Sequence, residues 1–324
     1  MKMSSKSVII FLLSMQAFAA SALAGNEGPA GMPLPHVPPM LLFRNSGPVV
    51  PHPHTTDVII DVMGQMSASH GNTTVYLGSL SMDSVKTLQG KIDQLGTLDI
   101  QDRNAGAPSC VGSGPVTYTA YGKGGVDGNI LLGKDMGCHA YRSYNGDAGQ
   151  MINLLSGLAP LAYELLGELE QNPDADRLSS VPASGAEKAL LDYTFNVGFS
   201  PEPMNGHFQI LLDGTIQDHR VYMRRMDPSA PKDVLVSFGS FSPFVIAHLS
   251  LKIDALPSVE PIDLQAGQPM CMDAPFLSYH GQRSSGVNQT LGEQRGCHSI
   301  RMPEHQGDSL IKLIDGLFTL SSYR

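Results

Sequence analysis

The residues best placed to do chemistry occur twice. Leu132-Gly133-Lys134-Asp135-Met136-Gly137-Cys138-His139-Ala140-Tyr141-Arg142 and Leu291-Gly292-Glu293-Gln294-Arg295-Gly296-Cys297-His298-Ser299-Ile300-Arg301 both read L-G-x-x-x-G-C-H-x-x-R. Upstream of each stands another cysteine, Cys110 or Cys271, with a tyrosine eight positions on, Tyr118 or Tyr279. Imidazole titrates near neutral pH, so His139 and His298 could act as general bases or as binding groups. Arg142 and Arg301 could clamp a ligand, and Tyr118 and Tyr279 complete the candidate binding set. Each has a plainer reading. The histidines could hydrogen-bond a glycine-rich turn or a neighbouring carbonyl, the arginines could pair with Asp93 or Asp254, and the tyrosines could cover the core. No carboxylate or nucleophile is seen to recur at a fixed position beside the histidines, so no catalytic residue is assigned and an enzyme ranks third among the functions weighed.

Four cysteines allow three pairings. The repetition selects Cys110 with Cys138 and Cys271 with Cys297, closing loops of 27 and 25 residues. In the chain-entropy model each closure contributes roughly 3–4 kcal/mol. A zinc site competes poorly, because neither C-x-x-C nor H-x-x-x-H spacing occurs and adjacent residues of a strand point to opposite faces. The His52-Pro53-His54 pair lacks further ligands, so no metal and no cofactor are expected. Gly307-Asp308-Ser309-Leu310 spells a serine-esterase motif, but it opens the last helix with fourteen residues left, where Asp308 is better explained as a cap.

Composition sets the compartment and excludes partners. Residues 1–24 carry Lys2 and Lys6, an apolar run from Val8 to Leu13 and a small-residue end at Ala22-Leu23-Ala24, the layout of a signal peptide. The expected location is therefore exported, either periplasmic or extracellular, where four cysteines read as two disulfides. Lys and Arg number 21 against 30 Asp and Glu, a net charge of -9; without Lys2 and Lys6 it becomes 19 - 30 = -11. That balance argues against nucleic acid as a partner. No later stretch reaches the roughly 18 apolar residues of a membrane span.

The elements that must position these residues repeat as well. Residues 25–54 are proline-rich and read as a linker; 55–170 form a first module, 171–190 a second linker and 191–324 a second module. In the first, 57–63 and 73–77 read as strands about a turn at 69–72, and 116–121 pairs with 129–132. Ser81 caps a helix whose face is Val85, Leu88, Ile92 and Leu95. At an offset of 161 these map onto Ser242, Ile246, Leu249, Ile253 and Leu256, with Pro243 at the first helical position. Asp147 with Gln150 is expected to cap a second helix, which Pro160 should kink or end; an offset of 159 carries its face onto Leu310 to Leu317.

Each module is thus expected to be α+β: an antiparallel sheet of about four strands with two helices on one face. The leading function is an exported, non-catalytic binding protein with two tandem disulfide-stapled modules, engaging a protein or cell-envelope component. The alternative is a secreted or periplasmic protease inhibitor, using stiffened segments at Val111 to Pro115 and Asp273 to Pro275. Oligomeric state is not legible.

Overall fold

Alternation of apolar and polar side chains writes most of the strands. In β10 below, Phe208 and Ile210 are buried while His207 and Gln209 face outward, the period of two that places one face on a core. The computed structural model describes residues 37–47, 55–106, 108, 114–126, 128–178, 187–197, 204–222, 233–269, 275–303 and 306–323. Two units are distinguished, Met1–Val37 and Pro38–Arg324, and every element below lies in the second.

The first half runs β1 (Pro39–Asn45), β2 (Thr56–Asp61), β3 (Gln65–His70), β4 (Thr73–Leu80), α1 (Met82–Gln94), β5 (Gln101–Asp102), β6 (Val116–Val126), β7 (Asn129–Met136), β8 (His139–Arg142), α2 (Gly146–Gln171) and α3 (Ala175–Leu178). The second runs β9 (Ala189–Val197), β10 (Met204–Leu211), β11 (Thr215–Tyr222), β12 (Asp233–Phe241), α4 (Pro243–Ala255), β13 (Ile262–Asp263), β14 (Phe276–Gln282), β15 (Asn288–Arg295), β16 (His298–Arg301), α5 (Asp308–Phe318) and a 3-10 turn (Thr319–Tyr323).

These strands form one antiparallel sheet of sixteen, in the order β13-β16-β15-β14-β9-β10-β11-β12-β4-β3-β2-β1-β6-β7-β8-β5. Read from either end, the order is the same with each strand replaced by its counterpart eight later. The centre is the pair β4 and β12, where Ser79 lies opposite Ser240. Two bonds flank that point symmetrically, Ser81 N–H to Phe238 O at 2.7 Å and Ser242 N–H to Leu77 O at 2.8 Å. Gly78 and Gly239 both hold φ +147°, and a Cβ on either would sit 2.1 Å from the carbonyl oxygen of Ser240 or Ser79. Only glycine admits that approach.

The helices cover one face. Their buried residues share a single core with the inward strand residues, from Met40 and Leu41 on β1 to Leu313 and Leu317 on α5. Helix α2 has 26 residues, about 39 Å at 1.5 Å per residue, and packs on β1, β2, β3, β4 and β7 of the first half and on α5 of the second. It meets α5 at a glycine pair, with Gly157 and Gly316 so close that a Cβ on either would lie 2.9 Å from the other's Cα. Glu164 of α2 also accepts from His248 Nε2 of α4 at 3.0 Å and from Lys252 Nζ, and Glu168 meets His248 Nδ1 at 2.9 Å. Burial works against a charged His248, yet the two carboxylates outweigh it and raise its pKa.

Several expectations are corrected. Two separate α+β modules of about four strands do not exist; each half gives eight strands to one sheet. The reason is that β4 and β12 would otherwise expose rows of unpaired backbone groups. The proline-rich stretch 25–54 contains β1, whose Met40 and Leu41 are fully buried and which pairs with both β2 and β6. Residues 65–70 form β3, where no strand was expected, and its counterpart in the second half is β11.

Asn145, rather than Asp147, caps α2 by accepting from Ala148 N–H at 3.1 Å. Pro160 does not end that helix, which runs on to Gln171. Ser81 and Ser242 cap α1 and α4 as expected from their spacing. Gly307, not Asp308, is the N-cap of α5. Cys138 and Cys297 are both disulfide-bonded and no described cysteine is free; their expected partners, Cys110 and Cys271, lie outside the described residues. The signal-like segment 1–24 also lies outside them. No helix among the described residues is long and apolar enough to cross a membrane.

Candidate functional site

The repeated histidines sit at the two ends of the sheet. Each end is closed by a strand of only two residues, β5 or β13, pairing with β8 or β16. His139 Nδ1 lies 2.8 Å from Asp102 Oδ2, and His298 Nδ1 lies 2.8 Å from Asp263 Oδ2. The same carboxylates receive backbone N–H groups from the following turns, Asn104 at 2.9 Å and Gln265 at 2.9 Å. Each aspartate therefore ties its short strand to both the turn after it and the strand beside it.

Those contacts set the charges. The Asn104 N–H, then His139, hold Asp102 below the usual carboxylate range. His298, then the Gln265 N–H, do the same for Asp263, and Asp263 in turn raises His298. A carboxylate thus does recur beside the histidines, at the offset of 161 from Asp102 to Asp263; that offset was the signal in the sequence, and it was missed. A base with an orienting carboxylate is two parts of a catalytic triad. The contacts seen here clip each two-residue strand to the neighbouring strand at the sheet edge. Cys138 lies in the turn before β8 rather than in a strand, with its carbonyl oxygen accepting from Asn104 Nδ2 at 2.6 Å.

The arginines and tyrosines form a second repeated unit, on the helix-covered face. The Arg142 guanidinium sits 5.0 Å from the Tyr118 ring centre and that of Arg301 sits 5.8 Å from Tyr279, within the range of cation–π attraction. The glycine of each motif makes the space: a Cβ on Gly133 would lie 2.7 Å from Tyr141 O, and one on Gly292 would lie 2.6 Å from Arg301 Nη1. Neither arginine pairs with Asp93 or Asp254. Arg142 Nη2 meets Asp135 Oδ1 at 2.7 Å, Tyr118 OH donates to Asp135 Oδ2 at 3.1 Å, and Ser156 Oγ donates to Tyr118 OH at 3.2 Å.

In the second half the acid has moved. Gln294 stands at the position of Asp135 and Asp315 at that of Ser156, so Tyr279 OH donates at 2.8 Å to an acid on α5 instead of one on the strand. Burial raises Asp315, against the opposing pull of Tyr279 and Arg301. Tyr193 stacks on Tyr279 at 4.8 Å, and burial next to Asp315 pushes its phenol up to about 12. A tyrosine, an arginine and one acid are retained while the acid changes element, which identifies a packing unit that tolerates any route to a satisfied phenol.

Among the described residues, no helix covers the opposite face of the sheet. Tyr76, Leu131, Val221, Leu235 and Phe276 are exposed there, set among Ser67, Thr194, His207, His219 and His280. Asp192 shares a proton-bonding distance of 3.2 Å with His207 Nδ1. The segments weighed for an inhibitor fall largely outside the description: residues 111–113, 273 and 274 are not described, whereas Gly114, Pro115 and Pro275 are. No group of three or more His, Cys, Asp or Glu among the described residues is placed to hold a metal ion. Comparison with protein families, curated proteins and solved structures finds no match to this chain.

Proposed function

We propose that the chain is an exported, non-catalytic binding protein that engages a protein or cell-envelope component through the face of its sheet turned away from the helices. The observation that carries this reading is the face itself, a broad surface on which Tyr76, Leu131, Val221, Leu235 and Phe276 are exposed between polar neighbours. Aromatic and aliphatic anchors among polar neighbours are a composition that suits protein contact. The sheet ends are poorly suited to recruiting an added strand, because two-residue edge strands offer little backbone to pair. The repeated His, Arg and Tyr side chains support the reading by being engaged in clips and packing units. An acidic balance of 30 Asp and Glu against 21 Lys and Arg supports a partner other than nucleic acid. The signal-like layout of residues 1–24 supports export.

The experiment is a capture from the envelope and medium of the exporting cell using three baits: the wild-type chain, Tyr76→Glu with Leu235→Glu, and His139→Ala with His298→Ala. The face variant should lose the partner and the histidine variant should keep it. Loss with the histidine variant and retention with the face variant would reverse the assignment.

A further inference from the structure

A cavity of about 150 Å3 lies on the helix-covered side of the second half, between β11, β12 and the C-terminal 3-10 turn, and Asp218, Arg220, Val234, Val236, Phe238 and Ser321 line it. Asp218 is 4% exposed and Ser321 3%. Asp218 Oδ2 receives Arg220 Nε at 2.7 Å, but Asp218 Oδ1 and Ser321 Oγ have no hydrogen-bond partner among the described residues. Arg220 is held in place by donating Nη2 to Ser321 O at 3.4 Å and by lying 5.8 Å from the Phe195 ring centre. A buried carboxylate oxygen left without a donor is a rare and costly feature that needs a reason.

The first half shows that the fold does not supply one. Strand registers pair Met66 with Gly78 and Ala68 with Val75 in one half, and Ile216 with Gly239 and Asp218 with Val236 in the other. Ala68 is therefore the counterpart of Asp218. The helical offset of 159 makes Ala162 the counterpart of Ser321. Both alanines are buried in the core, at 1% and 0% exposure. The same architecture closes with two methyl groups in one half and opens a polar cavity in the other.

We propose that this cavity binds a small neutral molecule bearing a hydroxyl group on an apolar body, of about the size of phenol. The carboxylate is already neutralised by Arg220, so a cationic amine gains little, whereas a hydroxyl can donate to Asp218 Oδ1 and exchange a bond with Ser321 Oγ. Val234, Val236 and Phe238 supply the apolar wall, and a cavity of roughly 150 Å3 is the size that benzene fills. A site built around a hydrogen bond rejects an isostere lacking it, because the protein group is then left unpaired. The proposal does not rest on the sheet face turned away from the helices, which lies on the other side.

The test uses the full chain titrated with phenol, and with benzene for comparison, by ligand-observed NMR and calorimetry, beside Asp218→Asn and Ser321→Ala. Asparagine keeps the shape and an acceptor for Arg220 while turning a donor toward the cavity, so folding is preserved. Saturable phenol binding is expected, at least about tenfold tighter than benzene, with a loss of about fivefold or more in each variant. No saturable phenol binding, benzene bound as tightly as phenol, or both folded variants binding phenol like the wild type would each overturn the proposal.

Discussion

Replacing Gly157 by alanine and, separately, Gly167 by alanine should change stability in opposite directions, although both lie in α2. In an isolated helix either change gains about 1 kcal/mol, since alanine restricts the unfolded chain and favours helix. At Gly167 a Cβ meets nothing within 4 Å, so the gain should appear whole. At Gly157 the Cβ would lie 2.6 Å from Lys312 O and 2.9 Å from Gly316 Cα. Ordinary contact begins near 3.5 Å, so α2 and α5 must separate by somewhat under 1 Å along a seam that includes Leu154, Leu158, Leu313 and Leu317. Overpacking of that kind costs about 1–3 kcal/mol, which cancels the propensity gain and leaves Gly157→Ala about 0–2 kcal/mol less stable than wild type.

Thermal and urea melts should therefore place the two variants about 1–3 kcal/mol apart, or several degrees in Tm at roughly 2–4 °C per kcal/mol for a chain of this size class. Gly316→Ala should behave as Gly157→Ala does. If Gly157→Ala stabilises as much as Gly167→Ala, the two helices do not cross at this pair and the packing of the halves is wrong.

Other outcomes follow from the polar contacts. Glu164→Ala removes the acceptor shared by His248 and Lys252 and should lower stability by about 1 kcal/mol, a modest value because water reaches the carboxylate; urea melts with a His248→Ala double-mutant cycle would show coupling, and strict additivity would refute the bridge. The β13 clip should depend on pH with two limits. Asp263, lowered in the fold, contributes above its ordinary value of 3.8 and loses that contribution as pH falls through its folded value. His298, raised in the fold, contributes below 6.5 and loses it as pH rises through its folded value. Exchange of the Leu264 amide, which donates to Ser299 O at 3.0 Å, should be slowest between those limits, and Asp263→Asn should flatten the profile; an unchanged profile would sink the clip. Ser242→Ala should cost about 1 kcal/mol by removing the cap on α4, read as a shift in urea midpoint with no change in slope.

Local features were the legible ones. The faces Val85-Leu88-Ile92-Leu95 and Ile246-Leu249-Ile253-Leu256 are buried as their spacing indicates, because helical period and a serine cap act within a few residues. Strand β1 was hidden by its setting: Met40-Leu41-Leu42-Phe43 is a short apolar run among prolines, and its burial comes from β2, β6 and α2. Strand β3, with Ser67, Ala68 and Ser69, lacks the branched and aromatic residues that favour strands and takes its form from the neighbours on either side.

That the halves share one sheet is written in backbone groups of β4 and β12, which no side-chain pattern reveals. Gly78 with Gly239 and Gly157 with Gly316 were the available clues. Among the candidate site residues, the histidines' partners Asp102 and Asp263 keep the offset of 161, whereas the tyrosines' partners were out of reach: Asp135 and Asp315 satisfy equivalent tyrosines from different elements, so neither keeps to the offset.

The most direct test of the single sheet is amide hydrogen exchange at Ser81 and Ser242. Both are helix caps, whose N–H groups have no partner within their own helices. Here each donates across the centre of the sheet, to Phe238 O and to Leu77 O. Both amides should exchange as slowly as those of the β9–β10 core and lose protection together on global unfolding. Rapid exchange at both, with β6–β7 and β14–β15 still protected, would show two separate halves and contradict the account.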